Sequence, residues 1–283
     1  MTLLQPFLEF AFMRRALVAC LALSLSATPL GVLLLLRRMS LMGDALSHAV
    51  LPGAALGYLL CGLSLAAMGT GGLIAGITVA LLSGWISRHT PLKEDASFAG
   101  LYLASLALGV TLVSLHGSSV DLLHVLFGSL LAVQAEALWA VSVISALTLI
   151  LLAVLYPALM MEAMEPGWLR QQSPRMTDWA HRLFLLAVVG NLVAGFQILG
   201  TLMSVGLMML PAACARFWGR QLPGMLLCAM LVGTLSSLVG LSASWTLGLP
   251  AGPAVVLCAA GCFLLSIFFG PQGGVVTSRL RHS

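Results

Sequence analysis

Charge is scarce in this chain. Its 283 residues include thirteen basic and nine acidic side chains, 8% in all, against 60% hydrophobic residues. So little polar surface cannot cover a globule of this length in water, and with a mean hydropathy of +1.07 the implied solvent is lipid. Lysine is almost missing. Lys93, in "TPLKEDAS", is the only one, and its setting excludes the GxxxxGK[ST] loop with which a chain cradles nucleotide phosphates. No histidine is followed by glutamate, which removes the His-Glu-x-x-His pattern of a metalloprotease helix. A GxSxG hydrolase elbow is also lacking. The six cysteines, Cys20, Cys61, Cys214, Cys228, Cys258 and Cys262, form no CxxC pair and mostly lie in apolar runs. They read as small core residues, not as a disulfide framework or a zinc site. The net charge of +4 is scattered through loops without a basic patch, so nothing points to nucleic acid.

Long apolar runs are what the chain does have. They fall near 16–36, 40–61, 64–86, 97–115, 136–157, 182–199, 201–215, 224–246 and 253–269, and a span of about 20 residues crosses roughly 30 Å of hydrocarbon. The fold class expected is all-α, a polytopic membrane protein of eight to nine transmembrane helices, with residues 1–283 forming one transmembrane domain. The run from Ala16 to Leu36 is longer than the apolar part of an ordinary signal peptide and reads as a retained first helix. The count stays at eight to nine because 182–215 contains Gly190, Gly195, Gly200 and Gly206, and could be two spans or one long helix broken in the middle. With nine spans every arginine and lysine but Arg14 and Arg15 falls on one side. By the positive-inside rule that side is cytoplasmic, which places the N-terminus outside.

Two polar segments separate the spans. "HGSSVDLLHVLFGS" at 116–129 reads as a short surface helix on the outer side, and 160–181, "MMEAMEPGWLRQQSPRMTDWAH", is the one sizeable cytoplasmic segment. A soluble partner inside the cell would dock on the second. Trp85, Trp139, Trp218 and Trp245 lie near span ends, where an indole anchors in headgroups. Gly72 and Gly76 stand four apart, a spacing that lets helices approach closely, and packing within the chain is favoured over a contact between copies.

Chemistry is concentrated in one place. In "RRMSLMGDALSHAVLPG", Asp44 and His48 are four residues apart, which sets both on one helix face, one turn from each other. An ionisable residue kept within an apolar span is a functional candidate by default, because holding it there is costly. A carboxylate and an imidazole are two ligands of a divalent ion such as Mn²⁺, Fe²⁺ or Zn²⁺; the plain alternative is a hydrogen-bonded pair near the membrane surface. A helix rising about 1.5 Å per residue sets Asp44 only about 9 Å beyond Arg38, shallow for a site in mid-membrane. That leaves a broken or re-entrant first run, or a reversed first span, as ways to place it deeper.

These residues carry a family resemblance. "RRMSLMGDALSHAVLPGAALG" resembles the signature of the permeases of bacterial manganese/zinc/iron ABC importers, and "EDASFAGLYLASLALGVTLVS", "DLLHVLFGSLLAV" and "GTLMSVGLMMLPAACAR" follow in the same order. The resemblance implies the ABC importer permease fold, with Asp44 and His48 lining the pathway and binding the metal in transit. It implies a homodimer in the bacterial inner membrane that takes metal from an extracytoplasmic binding protein and is driven by a separate cytoplasmic ATPase, with no permanently bound cofactor. The cargo would be manganese or zinc, with iron less favoured.

In the coupling segment the family's Asp-Pro-Glu-x-Ala-x-x-x-Gly is matched here only by "EPGWLRQQS", which keeps an acid and a proline but lacks the alanine and the final glycine. ATPase docking is expected there, on Glu165, Pro166, Trp168 and Arg170. Asp121 and His124 form a second acid–imidazole pair on the outer side, with a polar turn shaping the mouth favoured over metal receivers. His89, His116, His181 and His282 are expected in solvated loops or the tail, and Pro211 as a helix kink. A rival of another class is a self-contained, proton-coupled carrier or channel in which Asp44 titrates; a scaffold without transport is a third reading.

Overall fold

The computed structural model describes Phe7 and residues 10–62, 64–92, 94–116, 135–164 and 174–275. All regular structure among them is helical: α1 (Ala11–Leu36), α2 (Met42–Ala49), α3 (Leu51–Cys61), α4 (Leu65–His89), α5 (Glu94–His116), α6 (Ala135–Met164), α7 (Pro174–Leu199), α8 (Thr201–Trp218), α9 (Leu222–Leu247) and α10 (Ala251–Phe269). With α2 and α3 taken together across Val50, nine helices among the described residues are long and apolar enough to cross a membrane.

Helix α1 is the central post. It packs against α6, α7, α8 and α9, and its sequence "SLSATPLG" supplies the small residues that close approach requires. A Cβ on Gly31 would run into the Met208 carbonyl of α8, so these two helices touch backbone to backbone. Helix α7 is buried almost as completely, while α5 and α6 show most of their surface on the single chain. Apolar side chains exposed on those outer faces, such as Leu103, Val154 and Leu147, are what a lipid-facing helix presents.

Polar groups tie the post to its neighbours. Ser26 donates to Asn191 Oδ1 at 2.6 Å, Asn191 Nδ2 donates to Thr148 Oγ1 at 2.6 Å, and the Ser24 and Ser237 hydroxyls lie 3.1 Å apart. All are buried, and together they fasten α1 to α6, α7 and α9 where water is absent.

Gly200 settles the expected ambiguity in 182–215. It sits at φ 80° and ψ 167° between α7 and α8, a region open to glycine and almost to nothing else, so the run is two helices. The Gly72 and Gly76 pair faces inward. A Cβ on Gly72 would meet Val50 and one on Gly76 would meet Val189 and Val50, so the spacing serves packing of α4 on the α2–α3 junction and on α7. Cys20 and Cys214 are fully buried, as core residues, and Cys61 is exposed; none of the six is in a disulfide. The four anchoring tryptophans are each at least 45% exposed. Helix α8 runs through Pro211 to Trp218.

The paired ends show how the helices share two sides. Phe10, before α1, lies 4.8 Å from Trp245 near the end of α9. At the opposite end of α1, Arg37 meets Glu162 of α6, and Arg220 Nε donates to Gln272 Oε1 at 2.9 Å, joining the chain after α8 to the chain after α10. This pairing follows the alternation on which the nine-span reading rests.

Candidate functional site

The site starts at a tight turn. After α1, Arg37 N–H donates to the Leu33 carbonyl and Met39 N–H to the Leu34 carbonyl. Arg38 takes φ 60°, uncommon for a residue with a side chain. The chain reverses within five residues and α2 begins at Met42. Helix α1 is therefore unbroken, and the depth of Asp44 is set by the neighbours of α2.

Those neighbours put the pair well inside the bundle. The rings of His48 and Tyr102 stack with centroids 6.4 Å apart, and Tyr102 is eight residues into α5, about 12 Å from its start at roughly 1.5 Å per residue. Gly43 lies against Met208 and Met209, at the middle of α8. Ser105 Oγ of α5 donates to the Ala49 carbonyl at 3.1 Å, at the last residue of α2. The shallow placement expected from counting residues past Arg38 is corrected: the turn carries α2 back along the bundle beside α5 and α8.

Asp44 Oδ1 and His48 Nε2 stand 3.8 Å apart on one face of α2, as the spacing of four requires. That is too long for a hydrogen bond. It fits two ligands of one ion, since donors each about 2.1 Å from a metal can be separated by up to about 4.2 Å. Nε2 is the nitrogen turned toward the carboxylate, and the Nδ1 atom of His48 is buried without a hydrogen-bond partner. Ser47 Oγ donates to the Asp44 carbonyl at 2.7 Å, bracing the first turn of α2. The two side chains are 64% and 35% exposed on the single chain. Among the described residues no third histidine, cysteine or acid joins them in a cluster able to hold a metal.

Asp121, His124, Glu165, Pro166, Trp168 and Arg170 lie outside the described residues. The ends of the 160–181 segment do not. Helix α6 extends to Met164 and α7 begins at Pro174, so most of what reads as a cytoplasmic loop is helix continuing past the apolar core. His181 is corrected too. It is not solvated in a loop but mostly buried in α7, with Nδ1 3.7 Å from Glu162 Oε1 and 3.5 Å from Arg37 Nη1. His89 ends α4, exposed and stacked on Trp85.

Known proteins resemble this chain over nearly its whole length. A model described as the ABC 3 transport family matches residues 9–270. The chain belongs to the ABC 3 transport family. It is 33% identical over 275 residues to the manganese transport system membrane protein MntC of Halalkalibacterium halodurans, covering 97% of this chain and 92% of that one. The manganese import system permease protein ScaB of Streptococcus parasanguinis is also 33% identical, over 264 residues, covering 93% of this chain and 92% of that one. Among solved structures, PsaBC from Streptococcus pneumoniae in complex with Fab superposes with a TM-score of 0.83 at 31% identity, covering 98% of each chain. A metal-chelate type ABC transporter in an inward-facing conformation shares the fold, with a TM-score of 0.74 at 18% identity, covering 93% of this chain and 88% of that one. The ABC 3 family member described here is thus a multi-pass membrane permease subunit with the importer permease fold, and the resemblance read from "GDALSH" holds.

Proposed function

We propose that this permease passes a divalent transition metal, manganese before zinc or iron, across the bacterial inner membrane as the transmembrane half of a binding-protein-dependent importer. The observation that carries the reading is the Asp44–His48 pair, set 3.8 Å apart inside the bundle and open on the face of a single chain. The two relatives cited are named as a manganese transport system membrane protein and a manganese import system permease protein, and oxygen with nitrogen ligation suits Mn²⁺ and Zn²⁺ alike. Two ligands hold an ion weakly. A second copy presenting the same face across a two-fold axis supplies four, the number zinc favours and a minimum for manganese.

In this reading ATP is hydrolysed by separate cytoplasmic subunits that dock on Glu165, Pro166, Trp168 and Arg170, in keeping with a chain that has no phosphate-binding loop. An extracytoplasmic binding protein delivers the ion to the outer mouth, where Asp121 and His124 receive it. Docked subunits move the permease copies against each other, and the ion passes from the mouth to Asp44 and His48 and then inward.

The test is ATP-dependent ⁵⁴Mn²⁺ uptake into proteoliposomes holding the permease, its ATPase and the binding protein, with Asp44→Asn and His48→Ala compared with the parent. Each substitution is expected to abolish uptake while the complex still assembles. Uptake by the permease alone, without ATPase or ATP, would sink the importer reading in favour of a self-contained carrier.

A further inference from the structure

Three ionisable side chains outside the metal-ligand pair meet at the ends of α1, α6 and α7. Arg37 Nη2 donates to Glu162 Oε2 at 2.8 Å. His181 Nδ1 completes the group, 3.5 Å from Arg37 Nη1 and 3.7 Å from Glu162 Oε1. The Arg37 guanidinium carbon also lies 4.3 Å from the centroid of the fully buried Phe184 ring. Side-chain exposure is only 6% for Arg37 and 14% for each of the other two. Enclosing charge this far is costly, and a buried ion pair seldom stabilises a fold more than apolar side chains of the same volume do. Stability is a weak reason for the cluster; its position is a better one.

Each member sits at a junction. Arg37 follows directly on α1 and opens the tight turn into α2, seven residues before Asp44. Glu162 is in the last turn of α6, three residues before Glu165, and His181 is in the second turn of α7, eight residues after Ser173. The turn itself is stiff. Arg37, Arg38 and Met39 each donate a backbone hydrogen bond into the last turn of α1, and Met39 and Met42 are buried. A displacement at Arg37 therefore reaches α2 with little slack. The guanidinium donates to the carboxylate through Nη2 while Nη1 lies toward His181, so it is held at two points and transmits rotation that a lone apolar contact would lose.

We propose that Arg37, Glu162 and His181 are positioning residues that link the ends of α6 and α7 to the turn carrying Asp44 and His48, so that movement of those ends re-aims the metal ligands. The proposal rests on the importer reading, in which the ATPase acts on the chain joining α6 to α7. Arg37 transmits to the site through α2, and neither it nor its partners touch the ion.

The experiment compares the parent with the double substitution Arg37→Met plus Glu162→Met in the assembled permease–ATPase complex, reconstituted with binding protein and Mn²⁺. The measured quantity is Mn²⁺ ions moved per ATP hydrolysed. Apolar side chains of similar volume are chosen so that the bundle still packs. The expected result is an assembled complex that still hydrolyses ATP, with the transport ratio reduced roughly tenfold or more, within the range usual for coupling between sites. A purely structural role would lower both activities together and leave the ratio unchanged, which would overturn the proposal. If the double variant does not assemble, Glu162→Asp carries the same ratio test with charge kept and the arm one methylene shorter, and an unchanged ratio there overturns it equally. A parent complex without ATP-dependent uptake is a different failure, that of the importer reading itself.

Discussion

Single side chains in this bundle matter most where backbones nearly touch or where a polar group is shut away from water. Gly31 is the first kind, with the Met208 carbonyl occupying the place a Cβ would take. Gly31→Ala must push α1 from α8 and is expected to cost about 1–3 kcal/mol, as overpacking of a core does. A lower midpoint of thermal unfolding in detergent checks it. Asn191 is the second kind. Its amide bridges Ser26 of α1 to Thr148 of α6 and the Ala187 carbonyl. Asn191→Leu is expected to destabilise by about 0.6–2 kcal/mol, the range for hydrogen bonds between membrane helices, with the fold kept because Ser26 still has Ser145 and the Ala22 carbonyl. Sequence exposed the Asp44–His48 pair because periodicity alone puts i and i+4 on one face. It could not expose the links from Asn191 to Ser26 and from His181 to Arg37, since these partners are 165 and 144 residues away in the chain, and no local pattern records such a distance.

Helices were legible wherever hydrocarbon dictated composition, and illegible where they outran it. Apolar content marks 136–157 and 182–199, but α6 continues to Met164 and α7 starts at Pro174, because a helix already nucleated in the membrane core propagates beyond it by adding one backbone hydrogen bond per residue fixed. The Arg37–Glu162–His181 cluster lives in that overhang, read from hydropathy as loop. The turn at Arg38 was equally hidden, and with it the true depth of Asp44. Gly200 shows the converse, a break that sequence offered among four glycines and that only backbone angles could assign. At φ 80° and ψ 167°, Gly200→Ala is expected to cost on the order of 1–3 kcal/mol of backbone strain. Its effect should separate from that of Gly190→Ala, where φ is not reversed and the nearest atom to a new Cβ lies 3.7 Å away. Side-by-side melting curves of the two variants decide this, and equal losses would mean that the α7–α8 break is not held by Gly200.

At the scale of the whole molecule, the Asp44–His48 pair of the single chain is too few ligands for a metal site by itself. Asp44 is 64% exposed although its helix is deep in the bundle, and the described residues offer no third ligand of the histidine, cysteine or acid type beside it. Divalent transition metals want four ligands or more, so the missing donors come from water, from residues of this chain outside those described, or from another copy. The importer reading chooses the last, and the choice has a measurable stoichiometry. Detergent-solubilised permease–ATPase complex equilibrated with Mn²⁺ or Zn²⁺ should bind one ion per two permease chains at this site. Asp44→Asn in one chain of a tandem-linked pair should weaken binding to the whole site, not halve the number of sites. One ion per chain, with the mixed pair keeping one site of unchanged affinity, would mean that each copy completes its own ligand set and that the two pathways are separate.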